Sequence, residues 1–130
     1  MRRLGFSTAS GLALFLTLAA VAPMAHASSC SMLSYSIDEA RSKLKRAANE
    51  TDFESAKDYA RRARSALDDA AMAAMDCGCI MVYSELDTAA SRARRARDAD
   101  DANEYVDSLN RSIRSFNSAL EALRSCSRKK

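Results

Sequence analysis

Cysteine is the one chemically reactive residue type that this sequence places at a regular spacing. The chain has 130 residues and four cysteines. The spacing from Cys30 to Cys77 is 47 residues, and the spacing from Cys79 to Cys126 is the same. An even cysteine count with matched spacing is typical of structural disulfides in an exported protein. The match favours Cys30–Cys77 with Cys79–Cys126, while Cys30–Cys79 with Cys77–Cys126 stays open and a Cys77–Cys79 bridge would require a strained ring.

Two alternatives give the sulfur atoms a chemical role. Met72, Met75 and Met81 flank the segment 77–79, and Met32 lies near the first cysteine. Thioether and thiolate sulfur is the donor set that Cu(I) prefers, although the helical spacing of Met72 and Met75 also predicts side chains packed in a core. The pair of cysteines in segment 77–79 would alternatively support thiol–disulfide exchange. Structural disulfides would leave neither alternative a thiolate, so we expect no bound metal or cofactor.

The composition excludes much catalytic chemistry once the N-terminal segment is set aside. After residue 27 the chain has no histidine, proline or tryptophan, and Gly78 is its single glycine. A Ser-His-Asp triad, histidine acid–base catalysis, His-ligated zinc and attached haem are therefore excluded. The acids Asp98, Asp100 and Asp101 lack the glycine and distal glutamate of an EF-hand loop. We expect no enzyme activity.

The first 27 residues have the features of a cleaved signal peptide. A cationic start at residues 1–3 precedes an uncharged apolar run at 11–22, and Ala25-His26-Ala27 supplies a small-x-small cleavage pattern. We predict a mature domain of residues 28–130 in the periplasm or outside the cell. The apolar run is shorter than the roughly 20 residues of a membrane span, so we expect no stable membrane anchor. Lipidation of Cys30 stays open, although Ala27 lies three positions upstream, where a large aliphatic residue would be expected.

The charged residues predict a solvated surface and no nucleic-acid partner. Loss of Arg2 and Arg3 with the signal peptide would lower the formal net charge from +3 to +1. Phosphate binding needs unopposed bases, whereas acids and bases here recur four residues apart, a spacing that supports ion pairs on a helix. These pairs are Asp58–Arg62, Arg64–Asp68, Arg94–Asp98 and Asp107–Arg111.

The matched cysteines also mark an internal repeat. A shift of 49 residues superposes both cysteine pairs and gives 13 identities in 48 aligned positions. Roughly five would arise by chance in a chain this rich in alanine, serine and arginine. We interpret the pattern as a duplication, with repeat 1 at residues 30–77 and repeat 2 at residues 79–126.

Each repeat has the hydrophobic periodicity of two helices. The predicted helices are 34–49, 52–76, 81–98 and 102–125, with N-caps at Ser36, Thr51 and Asp101, each three residues before a glutamate. The fold class is therefore all-α: two duplicated helical hairpins form an up-down four-helix bundle that disulfides staple at one end. Phe53 and Tyr105 are expected to fill the opposite end.

These features predict a non-enzymatic exported protein that acts by binding another envelope or secreted protein. An inhibitor, an immunity protein and a structural accessory all fit this description. The apolar stripes are also compatible with a homo-oligomer. The two alternatives from another class are the Cu(I)-binding protein and the thiol–disulfide exchange protein.

Overall fold

The computed structural model describes residues 30–129, with side chains described through Ser127, and about nine-tenths of these residues are helical. Helix α1 spans residues 30–49, α2 spans Phe53–Asp76, α3 spans Ile80–Arg97 and α4 spans Ala102–Lys129. No strand occurs within this part of the chain. The predicted signal peptide lies outside the described residues and stays a prediction.

The four helices form an up-down bundle in chain order. The connections at 50–52, 77–79 and 98–101 are short, and short connections make consecutive helices run antiparallel. Helix α3 packs against both α2 and α4, whereas α2 and α4 touch at few positions because they lie diagonally opposite. Helix α1 completes the ring through the Cys30–Cys77 disulfide to α2 and a hydrogen bond from Tyr105 of α4.

Alanine lines most of the interior. The hydrophobic periodicity of each helix predicts a stripe of buried residues along it. In α1 and α3 this stripe is confirmed, since all of its residues are buried: Leu33, Ile37, Ala40, Leu44 and Ala47 with Val82, Leu86, Ala89, Ala93 and Ala96. The stripe of α2 is buried from Ala56 to Cys77. The stripe of α4 begins at Tyr105, because Ala102 is exposed. Small side chains let the helices approach closely, but each removes little apolar area from water.

The two hairpins have complementary core residues at equivalent repeat positions. Ala60 in α2 corresponds to Leu109 in α4, and both are buried. Two further pairs are related in the same way and are also buried: Ala56 with Tyr105, and Leu67 with Phe116. Helix α2 therefore contributes the smaller side chain at each of these positions, and α4 contributes the larger one. The buried hydroxyl of Ser112, which replaces Ala63 of the first repeat, donates a 2.7 Å hydrogen bond to the carbonyl of Ala89 on α3.

Tyr105 closes the end of the bundle opposite the disulfides, as predicted. Its hydroxyl lies 2.8 Å from the carbonyl oxygen of Ala47 and 3.0 Å from that of Ala56, so one proton is shared between two acceptors. Its ring meets Phe53 edge to face, with centroids 6.1 Å apart. Burial, with a smaller effect from Glu50, raises the pKa of the phenol to about 12. Tyr105 thus joins α4 to the end of α1 and the start of α2.

The helix caps differ in part from those expected. Ser36 lies buried within α1, which already includes residue 30, so the predicted cap there is wrong. Helix α2 is capped by Asp52 instead of Thr51: its carboxylate accepts from the amide of Ser55 at 2.9 Å, a bond that holds the carboxyl pKa below its usual value. The cap at Asp101 is confirmed, with a 2.8 Å bond from the amide of Glu104.

Both disulfides lie at one end of the bundle, in the pairing that the repeat favours. The Cα atoms are 5.0 Å apart in Cys30–Cys77 and 5.9 Å apart in Cys79–Cys126. Gly78 separates the two bridges and has a φ of 83°, a conformation that glycine adopts without a Cβ clash. The amide of Gly78 donates to Met75 and that of Cys79 donates to Ala74, which is the Schellman pattern of a helix end.

We expect both disulfides to contribute equally to stability. Each closes a loop with a sequence separation of 47 residues, worth about 4 kcal/mol in the chain-entropy model. Replacing Cys30 and Cys77 by alanine, or Cys79 and Cys126 by alanine, should lower the free energy of unfolding by about that amount in urea titrations. A pair whose removal leaves the urea midpoint unchanged would contradict this role.

Tyr105→Phe should destabilise the bundle by about 1–2 kcal/mol, because the Ala47 carbonyl in the last turn of α1 loses its donor. Since the pKa of Tyr105 is raised to about 12, its contribution is complete below the unfolded value near 10 and is lost as pH rises from about 10 to about 12. Thermal melts should therefore show a smaller alkaline decline for Tyr105→Phe than for the wild type. Tyr35→Phe, which removes the same atom from an exposed position, is the control and should have no effect.

Candidate functional site

Large apolar side chains are exposed at one end of the molecule. We define the disulfide end as residues 30–40, 67–89 and 116–127, and the turn end as residues 41–66 and 90–115. The described residues include seven exposed large apolar side chains, and all except Val106 lie at the disulfide end. These six are Met32, Tyr35, Met72, Met75, Ile80 and Met81. An exposed apolar group of this kind is typical of an interaction surface.

The prediction that Met72 and Met75 fill the core is wrong. Met72 is 59% exposed and Met75 is 43% exposed. The interior beside them is already lined by alanines of α2, among them Ala70 and Ala74. Because the two methionines lie off that stripe, helical rotation places them on the outer surface.

A groove between α1 and α2 is lined by three of these exposed apolar side chains, Met32, Tyr35 and Met72. Its walls combine apolar side chains with two carboxylates, and Asp69 and Asp76 are both exposed. Neither carboxylate takes part in an ion pair within the described residues. The lining residues are Met32, Tyr35 and Ser36 from α1 with Asp69, Met72, Ala73 and Asp76 from α2.

A second groove lies between α3 and α4 at equivalent repeat positions. It is lined by the segment 78–82 with Ala122, Ser125 and Cys126. Met81 corresponds to Met32 and Ala122 corresponds to Ala73, so each hairpin has a groove beside its own disulfide. The acidic positions differ, because serine replaces aspartate at the counterparts of both Asp69 and Asp76.

Charge is segregated along the bundle. The disulfide end has eight acidic residues and one base, Arg124, which lies 3.4 Å from Glu121. The turn end has 14 basic and nine acidic residues. Arg41 and Arg64 reach across the boundary to Asp38 and Asp68, at 2.7 and 3.2 Å. The acids of the disulfide end are Asp38, Glu39, Asp68, Asp69, Asp76, Glu85, Asp87 and Glu121.

Seven of the 14 bases of the turn end form ion pairs with nearby acids. The predicted pairs Asp58–Arg62, Arg64–Asp68 and Asp107–Arg111 are confirmed at 3.1, 3.2 and 3.2 Å. The predicted Arg94–Asp98 pair is wrong, because Asp98 bonds Arg97 at 2.8 Å. This bond lowers the pKa of the Asp98 carboxyl, and a bond from Arg61 lowers that of Asp58. The exposed pairs support the interpretation of a solvated surface.

The cysteine sulfur atoms are all engaged. No free cysteine occurs among residues 30–129, and Cys77 and Cys79 are buried in separate disulfides. The described residues therefore offer no thiolate either for Cu(I) binding or for thiol–disulfide exchange, and the Cys77–Cys79 bridge is not formed. In the same part of the chain, no histidine, cysteine, aspartate or glutamate cluster is arranged to hold a metal ion, and no helix could span a membrane.

Comparisons with protein families, characterised proteins and solved structures find no match for this chain. The site therefore has to be interpreted from its own residues. Sequence reasoning predicted its disulfides but placed Met72 and Met75 in the core. The signal that would have placed them correctly is the alanine stripe, since Met72 and Met75 lie off it.

Dilute hydrogen peroxide should oxidise all four methionines of the disulfide end in the folded protein, because exposed thioethers react readily. Peptide mapping by mass spectrometry would show sulfoxide at Met32, Met72, Met75 and Met81, with little change in far-ultraviolet circular dichroism. The rates should be comparable in the folded and urea-unfolded protein. A methionine that reacts only after unfolding would contradict its placement on the surface.

Proposed function

We propose that this protein is a non-enzymatic, exported binding protein whose disulfide end recognises another envelope or secreted protein. The exposed apolar group at that end is the observation that carries the proposal. Met32 and Met72 face the α1/α2 groove, and Ile80 and Met81 face the α3/α4 groove. Their exposure contrasts with an interior built largely from alanine. Binding a partner would remove these side chains from water.

The construction of the disulfide end also favours recognition. The Cys30–Cys77 bridge ties together the two helices that form one groove, and Cys79–Cys126 does the same for the other. Groove walls fixed before binding lose less conformational entropy on association. The methionines on these walls are unbranched and adapt to the shape of a partner. A rigid frame with adaptable side chains therefore suits a protein-binding surface.

The proposal is tested with the purified, disulfide-bonded protein as bait in an extract of the host's cell envelope. Met72→Glu places a charge in the apolar group and should lower recovery of the specific partner by at least about ten-fold. The partner is identified by mass spectrometry as a protein that the wild-type bait enriches and this variant does not.

Val106→Glu is the matched control. Val106 is 52% exposed and Met72 is 59% exposed, and each lies within a helix, but Val106 belongs to the turn end. Its substitution should leave partner recovery unchanged. Equal recovery by the Met72→Glu and wild-type baits, or loss with the Val106→Glu bait alone, would contradict binding through the disulfide end.

A further inference from the structure

We infer that the partner presents a basic amphipathic helix, whose apolar side chains enter the α1/α2 groove and whose lysines or arginines face Asp69 and Asp76. This inference rests on the proposed function and adds the chemistry of the partner. The first support is the arrangement of the groove, where apolar and acidic side chains lie together on α2. Both carboxylates are exposed and without an ion pair among the described residues.

The spacing of the two acids defines the complementary pattern. Asp69 and Asp76 are seven residues apart on α2, with Met72 between them. Seven residues of helix correspond to about 10 Å along the axis. The two carboxylates therefore lie two turns apart, and Met72 lies about one turn from each. A partner helix with bases at i and i+7 and apolar residues at i+3 and i+4 matches this spacing.

The charge of the surrounding surface has the same sign. Seven of the acids at the disulfide end lie on α1, α2 and α3, and the residues of these helices at that end include no lysine or arginine. Two of the seven, Asp38 and Asp68, pair with arginines of the turn end, which leaves five. An acidic field over the groove would attract a basic segment and increase its association rate. It would repel an anionic membrane surface, which makes a lipid headgroup layer the less suitable occupant.

The C-terminal residues of this chain and a second copy of the protein are both poorer occupants of the groove. The C-terminal residues Arg128-Lys129-Lys130 are basic but include no apolar side chain that would fill the groove. A second copy would bring either its own acidic disulfide end or a turn end where Val106 is the single exposed large apolar residue described. Like charge opposes the first arrangement, and the second offers little apolar area to bury.

The experiment uses three fluorescent helical peptides of roughly 18 residues, or five turns. One has lysine at i and i+7 with leucine at i+3 and i+4, so that both residue types lie on the same helix face. The second has glutamate in place of lysine, and the third is a scrambled form of the first. Fluorescence anisotropy with the disulfide-bonded protein should show saturable binding of the Leu/Lys peptide alone. The affinity should fall when salt rises from about 50 to about 500 mM.

Charge substitutions test the role of the two aspartates. Asp69→Asn with Asp76→Asn should weaken Leu/Lys binding by about three- to ten-fold. The matched control, Glu54→Gln with Asp107→Asn, removes two exposed carboxylates from the turn end and should leave binding unchanged. Asp69→Lys with Asp76→Lys should transfer preference to the Leu/Glu peptide.

Several results would overturn the inference. Equal binding of the Leu/Lys and Leu/Glu peptides would show an apolar surface without charge selection, so the proposed function would survive while the basic partner would not. Failure of all three peptides, or equal weakening by the control pair, would exclude the basic helix. A dimer in sedimentation that Met72→Glu dissociates would place a second copy on this surface, and tight binding to phosphatidylcholine vesicles would place a membrane there. The bait experiment with the envelope extract tests the proposed function separately, and none of these peptide results decides its outcome.

Discussion

Close packing through alanine is the constraint on which this bundle depends. Most core positions on α2 and α3 carry a side chain of one carbon, and the largest fully buried side chains are Leu67, Leu86 and Val82, with Ser112. Such an interior excludes little apolar area from water, so hydrophobic burial contributes less per residue than in a leucine-rich core. The disulfides offset this weakness by limiting the unfolded chain. They also fix helix ends where large side chains, which the narrow interior does not accommodate, lie on the surface.

Cysteine spacing and hydrophobic periodicity were sufficient to predict the helices, their order and the stapled end, because both signals depend on the same helical geometry. Cap positions were less predictable. Ser36 has the right residue type for a cap but lies inside α1, since a capping pattern also occurs by chance within a helix. Asp98 has two arginines within reach of its carboxylate, and sequence spacing does not show that the adjacent Arg97 bonds it.

The site was harder to predict than the fold, for reasons that the chain order explains. Seven of the eight acids of the disulfide end lie in segments 30–40 and 67–89, which a basic stretch separates in the sequence and folding brings together. The two grooves share a methionine at the equivalent positions 32 and 81, yet Asp76 of one groove corresponds to Ser125 of the other. The two hairpins therefore present different chemistry beside equivalent disulfides, which a comparison of identical positions alone does not show.

Gly78 also determines the covalent connectivity of the molecule. Each disulfide closes a ring within one hairpin, and the peptide bonds on either side of Gly78 are the sole covalent link between the two rings. A protease that cuts one bond inside either ring leaves the chain in one covalent piece, whereas a cut beside Gly78 yields two closed hairpins held by side-chain packing alone. Gly78 is exposed, and it lies among the residues that line the second groove. A partner bound in the second groove would thus shield the two bonds whose cleavage separates one hairpin from the other.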